Sequence, residues 1–319
     1  MLRHDAGMSH AFATFPWPGF QPDGSLLLPL PVGPFLAGLP ATLDWQGPTL
    51  QLKQECHVTL LNHACGSAAR DTLGNEEVRR LFQAHDWTLH RPGDARVLHQ
   101  PGTPDAYALI EDVALPALNA FRAAVSRAMG SELPAVHPHV TLFTAAKPEG
   151  IGLPDLESLA GMEIARLRMP GIGNRTPPPL PPTLEKAYHD TDFVVTDAPD
   201  LVIHIGQHAP SVDALLASHG VDRALLLSAC NPYSEASSET VNQLRHGLLC
   251  AVQKSLRLNA LAAEGRDPTG VWPPETSLLL LGTTPEQEAE LLRDYEQHAA
   301  VLLRRGQGVA LVKHAGHAV

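Results

Sequence analysis

Five prolines in nine residues, Arg175-Thr-Pro-Pro-Pro-Leu-Pro-Pro-Thr183, set the first limit on the fold. Proline lacks an N–H and fixes φ, so neither a helix interior nor a central strand runs through such a stretch. The segment is expected as an extended, semi-rigid spacer. It divides the 319 residues into a first domain, 1–174, and a second, 184–319, with 175–183 as linker. A long proline-rich loop inside one domain is the alternative. At 44% hydrophobic residues the chain can bury a sizeable core.

Before the linker, short strand patterns alternate with helical ones. Ser25–Leu28, His57–Asn62, Trp87–His90, Ala95–His99, Tyr107–Glu111, His139–Thr144 and Glu163–Met169 read as strands. Asn75–His85 and Pro116–Met129 read as helices, the second with Gly130 past its end. The first domain is therefore expected to be α+β, with two similar halves. After the linker, strands at Leu201–Ile205, Arg223–Cys230, Thr276–Gly282, Ala299–Leu303 and Val309–Lys313 surround helices at Ser237–Lys254 and Pro285–His298. This part is expected to be a smaller α/β domain, with α+β as the alternative, its strand order not readable from the sequence.

Chemistry concentrates in two tetrapeptides, His57-Val-Thr-Leu60 and His139-Val-Thr-Leu142, 82 residues apart. On a strand, positions i and i+2 share a face. His57 and Thr59 then point together, as do His139 and Thr141, with the aliphatic residues on the other side. Two such strands side by side place two imidazoles and two hydroxyls around one cleft. Phosphodiester cleavage needs a base on the attacking oxygen and an acid on the leaving oxygen, and histidine fills either role near neutral pH. The hydroxyls donate to oxygens on which charge develops. The alternative is a pair of amphipathic strands whose histidines bond only locally.

These motifs resemble those of the two-histidine (2H) phosphoesterases, which include the bacterial RNA 2′,3′-cyclic phosphodiesterases, once called 2′-5′ RNA ligases. The resemblance covers about residues 20–172. It implies a bilobal α+β fold with two pseudo-symmetric lobes and a cleft between them. It further implies His57 and His139 as the acid–base pair, and Thr59 and Thr141 on the phosphate. The implied substrate is a cyclic phosphate or a 2′-linked small nucleotide or RNA end, with no metal or other cofactor. Which histidine is acid and which is base stays open.

Charge narrows the partners. The chain carries 23 Lys and Arg against 34 Asp and Glu, a net charge of −11, with both halves acidic. A binder of long nucleic acid normally shows a basic balance or stripe, so a small nucleotide or RNA end is expected instead. No apolar run is long enough to span a membrane. Met1–Phe20, broken by Pro16 and Pro18, does not read as a signal peptide. Cys56, Cys65, Cys230 and Cys250 form no Cys-x-x-Cys pair, and the apolar settings of Cys56, Cys230 and Cys250 fit a reducing cytoplasm. The 17 histidines raise the question of a metal, but no compact His/Asp/Glu ligand motif occurs, and none is expected. Tyr107 and Phe143 are candidates to stack on a base at the cleft rim, with core packing as the alternative. Arg91, Arg96, Arg166 and Arg168 are candidates for the phosphate, the last two alternating on a strand.

The second domain is rich in polar punctuation: Asn231-Pro-Tyr-Ser234, Asn242-x-x-Arg245 and Trp272-Pro-Pro-Glu275-x-Ser277. Ser237 or Ser238 is the expected helix N-cap, and Asn242 and Arg245 share a helix face. Asn231, Ser234, Asn242, Arg245 and Glu275 are expected to cluster, with Glu275 pairing to Arg245, as a ligand site or as structural turn chemistry. Over about residues 185–305 the pattern resembles a bacterial family of uncharacterised domains, though two prolines rather than one residue separate Trp272 from Glu275. Besides a phosphodiesterase, two other readings remain. The first domain captures a phosphorylated ligand as a sensor and the second signals, or the second domain is itself an enzyme.

Overall fold

The computed structural model describes residues 15–45, 47–196 and 198–317. Most of Met1–Phe20, read above for a signal peptide, lies outside them. The chain divides into two compact units at Gly173–Asn174, both mixing helices with antiparallel sheets.

In the first unit, β1 (Leu26–Leu30) and the short α1 (Val32–Leu36) precede β2 (Thr42–Asp44), β3 (Thr49–Leu52) and β4 (Cys56–Leu61). Then come α2 (His63–Gln83), β5 (Asp94–His99), β6 (Tyr107–Asp112), α3 (Pro116–Met129), β7 (His139–Ala145), α4 (Leu156–Met162) and β8 (Glu163–Arg168). Strands β1 and β4 form an antiparallel pair in which Pro29 stands opposite His57. Proline fits there because the edge strand needs no further donor. The other six strands form one sheet in the order β2-β3-β7-β6-β5-β8, antiparallel at every join. Among the described residues the two sheets are thus unequal, two strands against six.

Helices α2 and α3 pack on each other and on β4. Asn62 caps α2 by accepting from the Cys65 amide, and Gly74 breaks it with φ 77°. The expected strand at Trp87–His90 forms isolated bridges at Leu89 and His90 rather than a ladder. The Trp87 indole instead stacks on Phe82 at 4.6 Å and donates to its carbonyl, and that anchoring replaces a strand ladder.

The second unit continues with α5 (Pro182–Asp190), β9 (Asp192–Val195), β10 (Ala198–Ile203), α6 (Pro210–Ser218), β11 (Arg223–Ser228) and α7 (Glu239–Ser255). It ends with β12 (Asn259–Arg266), β13 (Glu275–Leu281), α8 (Pro285–Asp294), β14 (Ala299–Arg304) and β15 (Ala310–Lys313). Seven strands lie in the order β10-β9-β12-β13-β11-β14-β15, again antiparallel throughout. Alternation on β11 splits its leucines between two cores. Leu226 packs with Val212 and Leu216 of α6, and Leu225 and Leu227 pack with Leu249 of α7 and Leu291 and Leu292 of α8. The result is a three-layer sandwich.

The proline stretch is not a free spacer. Its head is held inside the second unit, where the Arg175 amide and guanidinium bond Glu296 and the guanidinium also bonds Glu235. Its tail starts α5, with Pro181 as N-cap and Pro182 in the first turn, where the missing N–H costs nothing. No helix among the described residues is long and apolar enough to cross a membrane.

Candidate functional site

Strand alternation sets the faces of the two motifs. On β4, Val58 and Leu60 are fully buried while His57 and Thr59 are half-buried. On β7, Val140 and Leu142 are fully buried while His139 and Thr141 are half-buried. Pairing of β3 with β7 ends where the Lys53 amide donates to Leu142 O. Strand β4 runs beside β7. The charge of His57 acts on His139, so the imidazoles lie within electrostatic reach of each other.

Each histidine has a distinct setting. His139 Nδ1 bonds the His137 carbonyl at 2.8 Å. Burial is the main cause that drives its pKa down to about 4. Burial also lowers the pKa of His57, the neighbouring Lys53 adds to that, and Glu55 opposes both, its carboxylate 3.7 Å from Nδ1. Asp112 lies directly opposite His139 on β6. It accepts from Arg96 and from His137 Nε2 at 2.8 Å. Desolvation pushes its pKa up, but those two donors outweigh it and the carboxyl titrates low.

Several of these residues escape a motif search. Lys53 donates to Pro148 O at 2.7 Å and stands 3.7 Å from Glu55. The turn it holds reaches Gly150, where a Cβ would lie 3.7 Å from the Thr141 hydroxyl. Lys53, Glu55, His57 and Thr59 fall at every second position, as do His137, His139 and Thr141. That period of two is the signal that could have found Lys53 and Glu55. Asp112, brought in by β6, has no such local signal.

The stacking and phosphate candidates are placed differently than expected. Phe143 is 0% exposed and lies in the core. The cause is a bulge: Ile110 faces Thr141 but Leu109 faces Phe143, so β7 carries one extra residue, Leu142. The bulge turns Phe143 to the side away from Thr141. Tyr107, two residues from Leu109, shares that side and stacks on His99 at 4.5 Å. The register runs Thr141, Ile110, Arg96, Arg166 across four strands. At about 4.8 Å per strand, Arg166 is roughly 14 Å from Thr141 along this row. Arg166 pairs with Glu163, and Arg168 with Asp94 and the Gly173 carbonyl. Arg91 is locked to the fully buried Glu111. Arg96 is the arginine that reaches the motif's own partner, Asp112.

In the second unit, Asn231 adopts a left-handed conformation with φ 47°. Its amide oxygen accepts from Ser237 N and Asn242 Nδ2, and its Nδ2 donates to Glu275 at 2.8 Å. Burial raises the Glu275 pKa against the hydrogen bonds from Asn231 and Ser228. Asn231, Asn242 and Glu275 are thus joined directly. Ser234 joins through its backbone, donating to Asn231 O, and its side is exposed. Arg245 departs from the expected ion pair with Glu275. Fully buried on α7, it donates to the carbonyls of Ala229 and Tyr295. A guanidinium with several fixed donors suits carbonyls left over at strand and helix ends. Ser238 is the cap of α7.

A family described as a protein of unknown function (DUF3293) matches residues 227–300. The match falls in the second unit and spans Asn231 through Glu275. No curated protein and no solved structure matches the chain.

Proposed function

We propose that the first unit hydrolyses a phosphodiester in a cyclic phosphate or in a 2′-linked small nucleotide or RNA end. The observation that supports this most is the pair of half-buried His-Thr faces on neighbouring strands, β4 and β7, with one imidazole sensing the other. In the reaction, water attacks phosphorus in line with the leaving oxygen, the water proton passes to the base, and the acid protonates the leaving oxygen.

The settings of the two histidines favour His139 as base. A backbone carbonyl only accepts, so Nδ1 bonded to the His137 carbonyl carries the hydrogen and Nε2 keeps its lone pair. Its depressed pKa keeps it neutral at pH 7. His57 is the acid: burial lowers its pKa, Glu55 partly offsets that, and a bound phosphate anion adds to the offset, so it delivers its proton on the acid side of neutrality. Thr59 and Thr141 donate to the non-bridging oxygens. Lys53 adds positive charge on the His57 side. The scheme needs no cofactor.

The test is incubation with 2′,3′-cyclic nucleotides, 2′-5′ oligoadenylates and cyclic dinucleotides in the presence of EDTA, read by mass spectrometry. A cyclic substrate should give one product heavier by one water, and a 2′-5′ oligoadenylate two fragments whose masses sum to the substrate plus one water. Binding by calorimetry with no product would favour a sensor instead.

A further inference from the structure

Immediately before the second motif the chain reads His137-Pro138-His139. Proline fixes its own φ and pushes the residue before it into an extended conformation. The His137 carbonyl therefore sits in the stiffest part of the strand entry. The end of β6 pins it on both sides. The His137 ring bonds Asp112, Nε2 to Oδ1, at 2.8 Å, and the Pro138 carbonyl accepts from Val113 N–H at 3.1 Å. Between these pins the His137 carbonyl accepts from His139 Nδ1. Asp112 is itself clamped, because Arg96 grips it from the neighbouring strand and is bound in turn to Glu163.

We propose that His137 is a positioning residue: its ring, seated on Asp112, holds its own carbonyl where it keeps His139 in the Nδ1–H tautomer, with Nε2 bare for the substrate. This rests on the two-histidine reading above and names what fixes the base. Its Nε2 is committed to Asp112, so His137 acts on the reaction through its carbonyl. A base in the wrong tautomer presents N–H where a lone pair is needed, which is why orienting groups beside catalytic histidines weigh so heavily.

The tautomer can be read without substrate. In full-length protein labelled with nitrogen-15, long-range proton–nitrogen correlations report which ring nitrogen carries the hydrogen, and His139→Gln identifies the signals of His139. The native protein should show Nδ1–H at His139. His137→Ala should convert it to a mixture of tautomers. Turnover of a 2′,3′-cyclic nucleotide should then fall about tenfold in kcat with KM nearly unchanged, as expected for misplacement of a reacting group. His137→Gln, whose amide can still donate to Asp112, should restore most of the turnover. Asp112→Asn keeps the shape, removes the charge and should shift the tautomer in the same direction, so the test stands if His137→Ala does not fold. An Nδ1–H tautomer that persists unchanged in the folded variants overturns the proposal, as does native His139 without Nδ1–H. Failure of the two-histidine reading shows itself separately, as turnover that survives His139→Ala.

Discussion

His139 carries two properties at once, a fixed hydrogen on Nδ1 and a pKa driven down to about 4, and both have consequences in solution. The unfolded chain holds this imidazole near its ordinary value of about 6.5. Between those values the unfolded state binds the extra proton, so stability falls as pH drops from about 6.5 to about 4 and no further below. The full loss from this one group is about 3 kcal/mol. Denaturant titrations across that window should show His139→Gln losing less stability than the native protein. The same settings shape catalysis. In the free enzyme, kcat/KM should fall on the acid side as His139 protonates near pH 4, and on the alkaline side as His57 loses its proton below pH 6.5. A bell of kcat/KM confined between those limits is the expected profile. A plateau extending past pH 8 would contradict His57 as the acid.

At the scale of elements, the bulge in β7 separates a binding role from a packing role for Phe143. Because its ring is in the core, Phe143→Ala should cost about 3–5 kcal/mol in stability while leaving KM of the folded enzyme unchanged. A large rise in KM would instead put the ring on the substrate. Gly66 makes a different point. A Cβ there would overlap the Gly24 carbonyl, so α2 meets the start of β1 backbone to backbone. Gly66→Ala should destabilise by about 1–3 kcal/mol in chemical unfolding, since neither backbone gives easily. This close approach also explains what the sequence conceals. The first half of α2, His63 to Leu73, is rich in Ala, Gly, Ser and Cys and lacks the apolar periodicity that marks Asn75–Gln83, so only the second half reads as helix. The two motif strands and α3 are legible because alternation and helix-end residues are local. The bulge that hides Phe143, and the Asp112 carboxylate that β6 brings opposite His139, depend on pairing with distant residues. So does the choice of Arg245 for two carbonyls over Glu275. Local patterns do not encode such pairings.

At the scale of the whole molecule, the two units place their polar residues differently. In the first, His57, Thr59, His139, Thr141 and Lys53 are half-buried and Glu55 beside them is exposed. In the second, Asn231, Asn242 and Glu275 satisfy one another, Arg245 satisfies backbone carbonyls, and the left-handed Asn231 is held by its bonds to Asn242 and Glu275. The acidic balance of both halves lacks the basic excess that binding a long nucleic acid normally uses. The most direct measurement is hydrolysis of 2′,3′-cyclic nucleotides by the full-length chain, with EDTA present, compared with His57→Ala and His139→Ala of equal folded content. Turnover by the native protein and its loss in each variant is the expected result; turnover retained in both variants would contradict a cleft that works through two histidines.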